Sequence, residues 1–439
     1  MTQTAIIVGA GLAGLATARA LEGAGWSVRV LEAAPKVRAL GSGISITANG
    51  LAAIDELGVG DAVREAGVRG LPEGAFSDRG SRLQGAAQHD SSAVVGIHRA
   101  TLLDILRDGR EIETGMRVVS ASDGGSGGGP SVTIEHGASD PDSTSARQER
   151  QLRADRARGI KAGRRIQRIL EPGDDPIDRK AEARASRAQV RAARDARFET
   201  LEADLVVGAD GIDSAVRKAL WPKARTDYSG ATCWFGVVQA QADSPTAFRQ
   251  FFGRGAEFGL LPIDGGRVYW YGMAQARMGR TARDEQQAAL ERFDTWAPEV
   301  RDHVAATASD AVIRRDLHWL ATPLKRSTKP GVALVGDAAH AMLPTLGQGG
   351  NSSFEDAATL GILLEDEPLD DALRAYDRER VARTRRFAQL SHRLARTTID
   401  VKNPVLLAAR NGAYNLVPTL VAEIAADWML AWRSPRDRD

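Results

Sequence analysis

Along the first thirty residues the pattern of apolar positions changes period twice. Residues 4–9, TAIIVG, form a short, nearly unbroken apolar run, as in a strand buried on both faces. Residues 12–24 are rich in Ala and Leu and predict a helix, and residues 27–32, SVRVLE, predict a second strand. Together they predict a βαβ opening. Helical spacing returns at 49–57 and 101–106. RVV at 117–119 and SVTI at 131–134 flank a glycine-rich turn and predict a hairpin. LEADLVVGAD at 201–210 predicts one further buried strand. GVALV at 331–335 predicts another, with a helix from about Ser352. Between Tyr228 and Met273 the pattern turns strand-like and aromatic (YSGATCWFGVV, then FGLLPIDGGRVYWYG), which predicts a second sheet apart from the first.

Length and charge narrow this picture. A chain of 439 residues exceeds one ordinary hydrophobic core, so two interleaved domains are expected. The net charge of +1 supplies no basic field for nucleic acid or an anionic membrane. The apolar tract from Val405 to Trp432 is interrupted by Arg410, Asn411, Glu423 and Asp427, so it predicts amphipathic helices and no membrane span. One cysteine, Cys233, allows no internal disulfide. With no basic and apolar leader before the first strand, a cytoplasmic location is expected. Residues 138–198 stand apart. From Arg147 to Arg197 there are 16 Lys/Arg against 8 Asp/Glu and few large apolar residues. Such a stretch buries too little to offset its chain entropy, so a disordered basic surface insertion is expected, with a basic arm for an anionic partner as the functional alternative.

Three glycine-rich segments carry the candidate chemistry. In IIVGAGLAGLATA, Gly9, Gly11 and Gly14 take G-x-G-x-x-G spacing between a strand and a helix, with Leu12 and Ala13 inside the turn and Glu32 ending the next strand. That context makes a dinucleotide fingerprint: a tight turn, close backbone approach to a pyrophosphate, and close helix–strand packing. The helix start adds unpaired N–H groups, and Glu32 can accept from ribose hydroxyls while repelling a 2′-phosphate. The site therefore suits FAD or NAD. The second segment, ADLVVGADGIDSAVR, ends a buried strand at Asp210 and Gly211, with Arg217 beyond. The third, VALVGDAAHAMLPTLGQGGNSSFEDA, carries Gly336, Asp337, Pro344, Gly347, Gly349, Gly350 and Asn351 and no base–nucleophile pair. Ser352 and Glu355 in it fit a capping box at a helix start. The histidines have no metal-ligand spacing, so no metal is expected.

Taken together and in this order, GAGLAG, GADG and GDAAH…P…GQGGN resemble the three FAD signatures of the class A flavoprotein monooxygenases, the p-hydroxybenzoate hydroxylase-like family. The resemblance covers nearly all of the chain outside 138–198. YSG…W.G at 228–236 and WAPEV near 296 are similar to the salicylate and urate hydroxylase-like members. It implies an α/β fold class: an FAD-binding Rossmann-like (GR2-type) domain interleaved with a mainly β substrate domain and a C-terminal helical segment. The expected division is 1–70, 98–137, 199–225 and 331–365 for FAD, 71–97 and 226–330 for substrate, and 366–439 for the C-terminal helices. It implies bound FAD, with Arg38 and Arg99 at positions that are basic or flavin-contacting in the family. Asp337 would take the ribityl chain, and Asp210 and Gly211 would lie near the pyrophosphate and the NAD(P)H approach. The backbone of 347–351 would face the pyrimidine edge of the flavin ring, and His340 would pack beside that loop.

The resemblance further implies transient NADH or NADPH, O₂, and transfer of one oxygen by a flavin C4a-hydroperoxide to a small aromatic or other electron-rich substrate, by hydroxylation or epoxidation. Trp234, Tyr269 and Pro344 are the pocket candidates, and Phe235, Trp270 and Tyr271 share the aromatic sheet; alternation turns only about half of its residues toward one face. Tyr269 matches a pocket tyrosine of the urate-type members, but Ala256-Glu257-Phe258 stands where those members carry an arginine. Two other readings stay open on the sequence: another flavin oxidoreductase on the same fold, such as a halogenase or reductase, or a degenerate, non-catalytic FAD-binding protein. The sequence names neither the nicotinamide nor an oligomeric state.

Overall fold

The computed structural model describes residues 2–37, 41–85, 93–125, 127–136, 198–242, 244–416 and 430–437. The opening forms as its pattern predicts: strand Thr4–Val8, helix Leu12–Gly23, strand Ser27–Glu32. Thr4–Val8 lies inside a six-stranded sheet of order Thr328–Lys329, Val332–Leu334, Leu205–Gly208, Thr4–Val8, Ser27–Glu32, Glu113–Thr114. Every pairing is parallel except that of Thr328–Lys329. Val8 pairs with Gly208 and Leu31, and Gly208 pairs with Leu334. Parallel strands in this register end at one edge. Segments two and three hundred residues apart in sequence therefore reach solvent side by side.

Period-two alternation divides the faces of this sheet. Ala5, Ile7, Leu205 and Val207 are buried against helix Leu12–Gly23 and the 19-residue helix Gln348–Asp366. Ile6, Val8 and Val206 are buried against Val132, Ile134 and Leu201 of an antiparallel sheet, Phe198–Glu202, Ser131–His136, Met116–Ser122. The two helices touch through small residues: a Cβ on Gly361 would stand 2.7 Å from the Cβ of Ala20.

The aromatic region forms the second sheet, seven strands in the order Ile313–Leu320, Thr226–Gln239, Arg267–Gln275, Ala256–Ile263, Arg249–Gly253, Gly74–Ser77, Arg82–Gly85. On one face Trp234, Phe251, Phe258, Leu260 and Trp270 pack on helices Glu285–Phe293 and Pro298–Ala306. Helix Leu369–Thr398 buries Leu373, Tyr376, Arg380, Thr384, Phe387, Ser391, Ala395 and Thr398, a stripe of one face over 30 residues. Helix Pro404–Leu416 follows. No helix among the described residues is long and apolar enough to cross a membrane.

Four expectations need correction or restriction. The single strand expected at 201–210 is two, Phe198–Glu202 and Leu205–Gly208, in different sheets. Asp204 makes the break: its carboxylate accepts the N–H of Thr4 at 2.7 Å and the hydroxyl of Thr4 at 2.8 Å, redirecting the chain. The helix expected from Ser352 begins four residues earlier, at Gln348. The basic segment lies outside the described residues except for Phe198, which pairs with Glu135. Of the tract 405–432, residues 417–429 likewise lie outside them.

Because Glu135 and Phe198 are already cross-strand partners, a turn of a few residues can join the two strands. Replacing 138–196 with a short Gly/Ser turn is expected to leave a cooperative unfolding transition, with Tm lowered by less than about 4 °C, roughly 1 kcal/mol. Circular dichroism on heating checks this, and loss of the transition would show the segment to be part of the core.

Candidate active site

A cavity of about 1000 Å³ opens where the common edge of the parallel strands faces the second sheet. Gly11, Leu12 and Ala13, then Ala209 and Gly211, then Asp337 and all of 342–350 line one part of it, so the three glycine-rich segments do meet. Arg99, Tyr269 and Pro344 line it as well. The volume is at the upper limit for a drug-sized ligand, room for a dinucleotide's reactive end and a second molecule.

The fingerprint glycines have separate duties. Gly9 has φ +106°, and a Cβ there would meet the carbonyl oxygen of Ala209 at 2.6 Å. A Cβ on Gly14 would stand 1.8 Å from the carbonyl oxygen of Gly9. These two serve packing and do not line the cavity. At Gly11 a Cβ would meet nothing within 4 Å, so nothing in the protein itself requires glycine there. Gly11 is the N-cap of helix Leu12–Gly23 and supplies no side-chain cap, leaving first-turn N–H groups to a ligand. Glu32 ties the loop down: its oxygens accept the N–H groups of Ala10 at 2.9 Å and Ala34 at 2.8 Å. Each oxygen keeps a second lone pair for a ribose hydroxyl.

Asp210 points inward. One oxygen accepts the N–H groups of Ala215 at 2.6 Å and Val216 at 3.2 Å, and the other is buried without a partner. Burial pushes its carboxyl up, and Ser214 with those N–H groups pulls the other way. Beside it the buried Arg217 donates to the carbonyls of Ala338 (2.9 Å), Asp337 (3.2 Å) and Ile212. Burial lowers its pKa, with Asp210, Asp213 and Asp337 opposing. Arg217 therefore clamps the second segment to the third through the main chain, a role its place beyond GADG did not announce.

The third segment is held from behind by charge. Gly336 has φ +58°, and a Cβ there would sit 2.7 Å from that of Ala13, so only glycine fits. Its N–H donates to Asp356 at 2.9 Å; the same oxygen is 2.5 Å from His340 Nε2, and the other accepts from Arg380 at 2.7 Å. His340 thus packs against Asp356 as well as the loop. Burial would raise the Asp356 carboxyl, but His340 and Arg380 outweigh it and hold it at about 2. Glu355 is not the helix cap expected from sequence. It lies on the second turn of a helix capped by Gly347, fully buried, accepting from Asn49 (2.6 Å), Arg380 (2.5 Å) and Arg383 (2.8 Å). Burial pushes its carboxyl up too, and the arginines win, leaving it lowered. Asn351 is turned away from the cavity: it accepts from the N–H of Thr47 and donates to the carbonyls of Ser45 and Gly347. Gly347, Gly349 and Gly350 do line the cavity, above a helix start with no side-chain cap.

On the opposite wall, alternation brings Tyr269 and Tyr271 to the cavity, ring centroids 6.3 Å apart, and Trp270 to the far face. Trp234 is a correction. It faces the helix-covered side, donating to Glu285 at 2.9 Å and meeting Phe293 edge-on. Its neighbour Cys233 takes the cavity side, where burial pushes the thiol up. Arg99 looks into the space between the two walls. Among the described residues its guanidinium has no hydrogen-bond partner, and burial lowers its pKa against the pull of Asp337 and Tyr269. Arg38 lies outside the described residues. Sequence reading missed Gln250, Glu257 and Tyr414, all lining the cavity. For Glu257 a signal existed: one acid inside the apolar strand AEFGLLPI.

A glycine edge with no neighbour, two uncapped helix starts and an unpaired buried-edge arginine on one cavity fit an anionic, planar dinucleotide such as FAD. The family model for the FAD binding domain matches residues 1–144 and 176–391. The chain belongs to the FAD binding domain family. Within this family it is 31% identical over 399 residues to the aurachin C monooxygenase/isomerase of Stigmatella aurantiaca, covering 89% of this chain and 88% of that one. It is 35% identical over 210 residues to the chloroplastic zeaxanthin epoxidase of Oryza sativa subsp. japonica, 44% of this chain and 31% of that protein. Its fold matches Klebsiella pneumoniae HpxO complexed with FAD and uric acid with a TM-score of 0.74 at 23% identity, covering 98% and 96% of the two chains. The enzyme class is that of the FAD-dependent, NAD(P)H-using monooxygenases, and its partners are a small molecule and O₂.

Arg380 balances two buried carboxylates at once, so its loss leaves both under-compensated. Arg380→Met is expected to cost about 3–5 kcal/mol, read by urea unfolding of the flavin-free protein. A loss below about 1 kcal/mol would mean the network contributes no more than a surface pair.

Proposed function

We propose that this monooxygenase inserts one oxygen atom into a small, electron-rich aromatic substrate, by hydroxylation or epoxidation, and that it works in the cytoplasm where its nicotinamide reductant is supplied. The observation that supports this best is the single cavity joining three FAD-type loops to the Tyr269–Tyr271 wall, with Arg99 between them. When bound, FAD takes a hydride from NADH or NADPH and, with O₂, supplies the transferred oxygen.

The remaining work belongs to the chain. Gly11, Leu12 and Ala13 would present helix-start N–H groups to the pyrophosphate, with Glu32 on the ribose. Asp337, exposed to the cavity within the field of Arg99 and Arg217, would accept from the ribityl hydroxyls. The uncapped helix start at Gly347, Gly349 and Gly350 would donate to the ring edge that gains negative charge on reduction, preorganised electrostatics that need no rearrangement. Arg99 adds a full positive charge from the other side. Asp210 and Gly211 would flank the approach of the nicotinamide. Pro344 and Tyr269 would hold the substrate ring, and Leu343, Leu390 and Leu394 would keep water from the reacting oxygen. The division into discontinuous FAD-binding segments, a substrate domain and a helical C-terminal cover is part of the same reading.

Two outcomes test it. Asp337→Ala is expected to lose most bound FAD on dialysis while keeping the wild-type unfolding temperature without flavin, measured by absorbance and calorimetry. Full FAD retention would remove Asp337 from the site. In a panel of phenols, hydroxylated heteroaromatics and quinolines, at least one compound is expected to accelerate NAD(P)H oxidation and yield a product heavier by one oxygen atom, labelled from isotopic O₂. Consumption of NAD(P)H that yields only hydrogen peroxide across the panel would speak for a plain flavin oxidoreductase.

A further inference from the structure

Beyond the tyrosines the cavity ends on an acid. Glu257 sits in strand Ala256–Ile263 at a position whose alternate neighbours, Ala256 and Phe258, belong to the helix-covered core, so its side chain takes the cavity face. It is 1% exposed. The hydroxyl of Tyr271 donates to it at 3.3 Å, and Gln250 Nε2 donates to that hydroxyl at 3.0 Å. Among the described residues it has no ion pair. A buried carboxyl held by neutral donors keeps acceptor capacity free, and the free side is the cavity. Phe252, stacked on Tyr414 with ring centroids 5.5 Å apart, and Leu390, Leu394 and Leu430 add apolar surface to the same cavity.

Resting on the monooxygenase reading, we propose that Glu257, with Tyr271 and Gln250, selects the substrate: an uncharged or cationic aromatic ring that presents an N–H or O–H donor to this carboxyl and an apolar flank to the C-terminal helices, while ring carboxylates are rejected. An anionic substrate would put two buried negative charges together at this end of the cavity. A donor-bearing ring satisfies the acceptor, and its absence leaves a buried polar group unpaired, a strong source of discrimination.

Burial raises the Glu257 carboxyl to about 7, while Thr398, Tyr271 and, through space, Arg410 pull it down. Among the described residues the other titratable groups facing it, Cys233, Tyr271 and Tyr414, are themselves raised by burial and stay neutral near pH 7. Rejection of an anion should therefore strengthen as pH rises from 6 to 8, where ordinary phenols and carboxylic acids do not change charge.

The test uses the FAD-loaded protein without nicotinamide, titrated with 2-naphthol, 2-naphthylmethylamine and 2-naphthoate and followed by the flavin difference spectrum. Wild type is expected to bind the naphthol and the amine at least about tenfold more tightly than the naphthoate, with the gap widening from pH 6 to 8. In Glu257→Gln the gap should shrink to about threefold and lose its pH dependence, with FAD content and Tm unchanged. Tyr271→Phe, a milder change, should narrow it partly. Equal binding of naphthoate by wild type, failure of all three to bind, or an unchanged gap in Glu257→Gln would overturn the assignment. Oxygen transfer on the same preparation is scored separately, so loss of turnover with the binding pattern intact would strike the monooxygenase reading instead.

Discussion

One oxygen of Asp356 takes the N–H of Gly336 and the ring of His340, while its other oxygen takes Arg380. Much of the site hangs on that carboxylate. Gly336 occupies a left-handed turn pressed against Ala13, so its position fixes Asp337 and the first glycine loop together. Arg380 lies on the C-terminal helix Leu369–Thr398, whose far end also lines the cavity through Leu390, Leu394 and Thr398. A single buried anion therefore couples the turn, the helix Gln348–Asp366 that bears the anion, and the cover over the opposite wall. Buried ion pairs add little net stability compared with apolar replacements. Their use here is geometric: three elements are held at one angle about a region that must itself remain bare.

The bareness explains which parts were legible. Glycine at 9, 11 and 14 next to alternating apolar runs can be read locally as a fingerprint, although the packing at Gly9 is against the carbonyl of Ala209, two hundred residues away. The parallel sheet follows from those runs, and the common edge follows from the sheet. The aromatic second sheet was legible through its β-branched and aromatic density. Asp204 hid the break in the strand at 201–210, because the partner that draws it out of line is Thr4, two hundred residues away.

Side-chain roles were harder, for the same reason. Ser352 and Glu355 satisfy the spacing of a capping box, yet Glu355 is drawn inward by Asn49, Arg380 and Arg383, each remote in sequence. The helix starts at Gln348 with the capping position given to a glycine, so its first N–H groups carry no side-chain cap. Local spacing rules fail where distant partners claim the same side chain. Trp234 and Cys233 illustrate a second limit. Alternation fixes that neighbours face opposite ways, but only the helices Glu285–Phe293 and Pro298–Ala306 decide which face is core, and their docking is tertiary.

The cavity itself is electrically asymmetric. Arg99 and two helix starts make one side positive, and Glu257 at the other end is an acceptor with no ion pair among the described residues. An arginine at both ends would favour acids as substrates and would pull on the same electrons that the first arginine stabilises. An acid at the far end leaves that field undivided, so the residue proposed to narrow the substrate class would also keep the positive potential concentrated on the side proposed for the flavin.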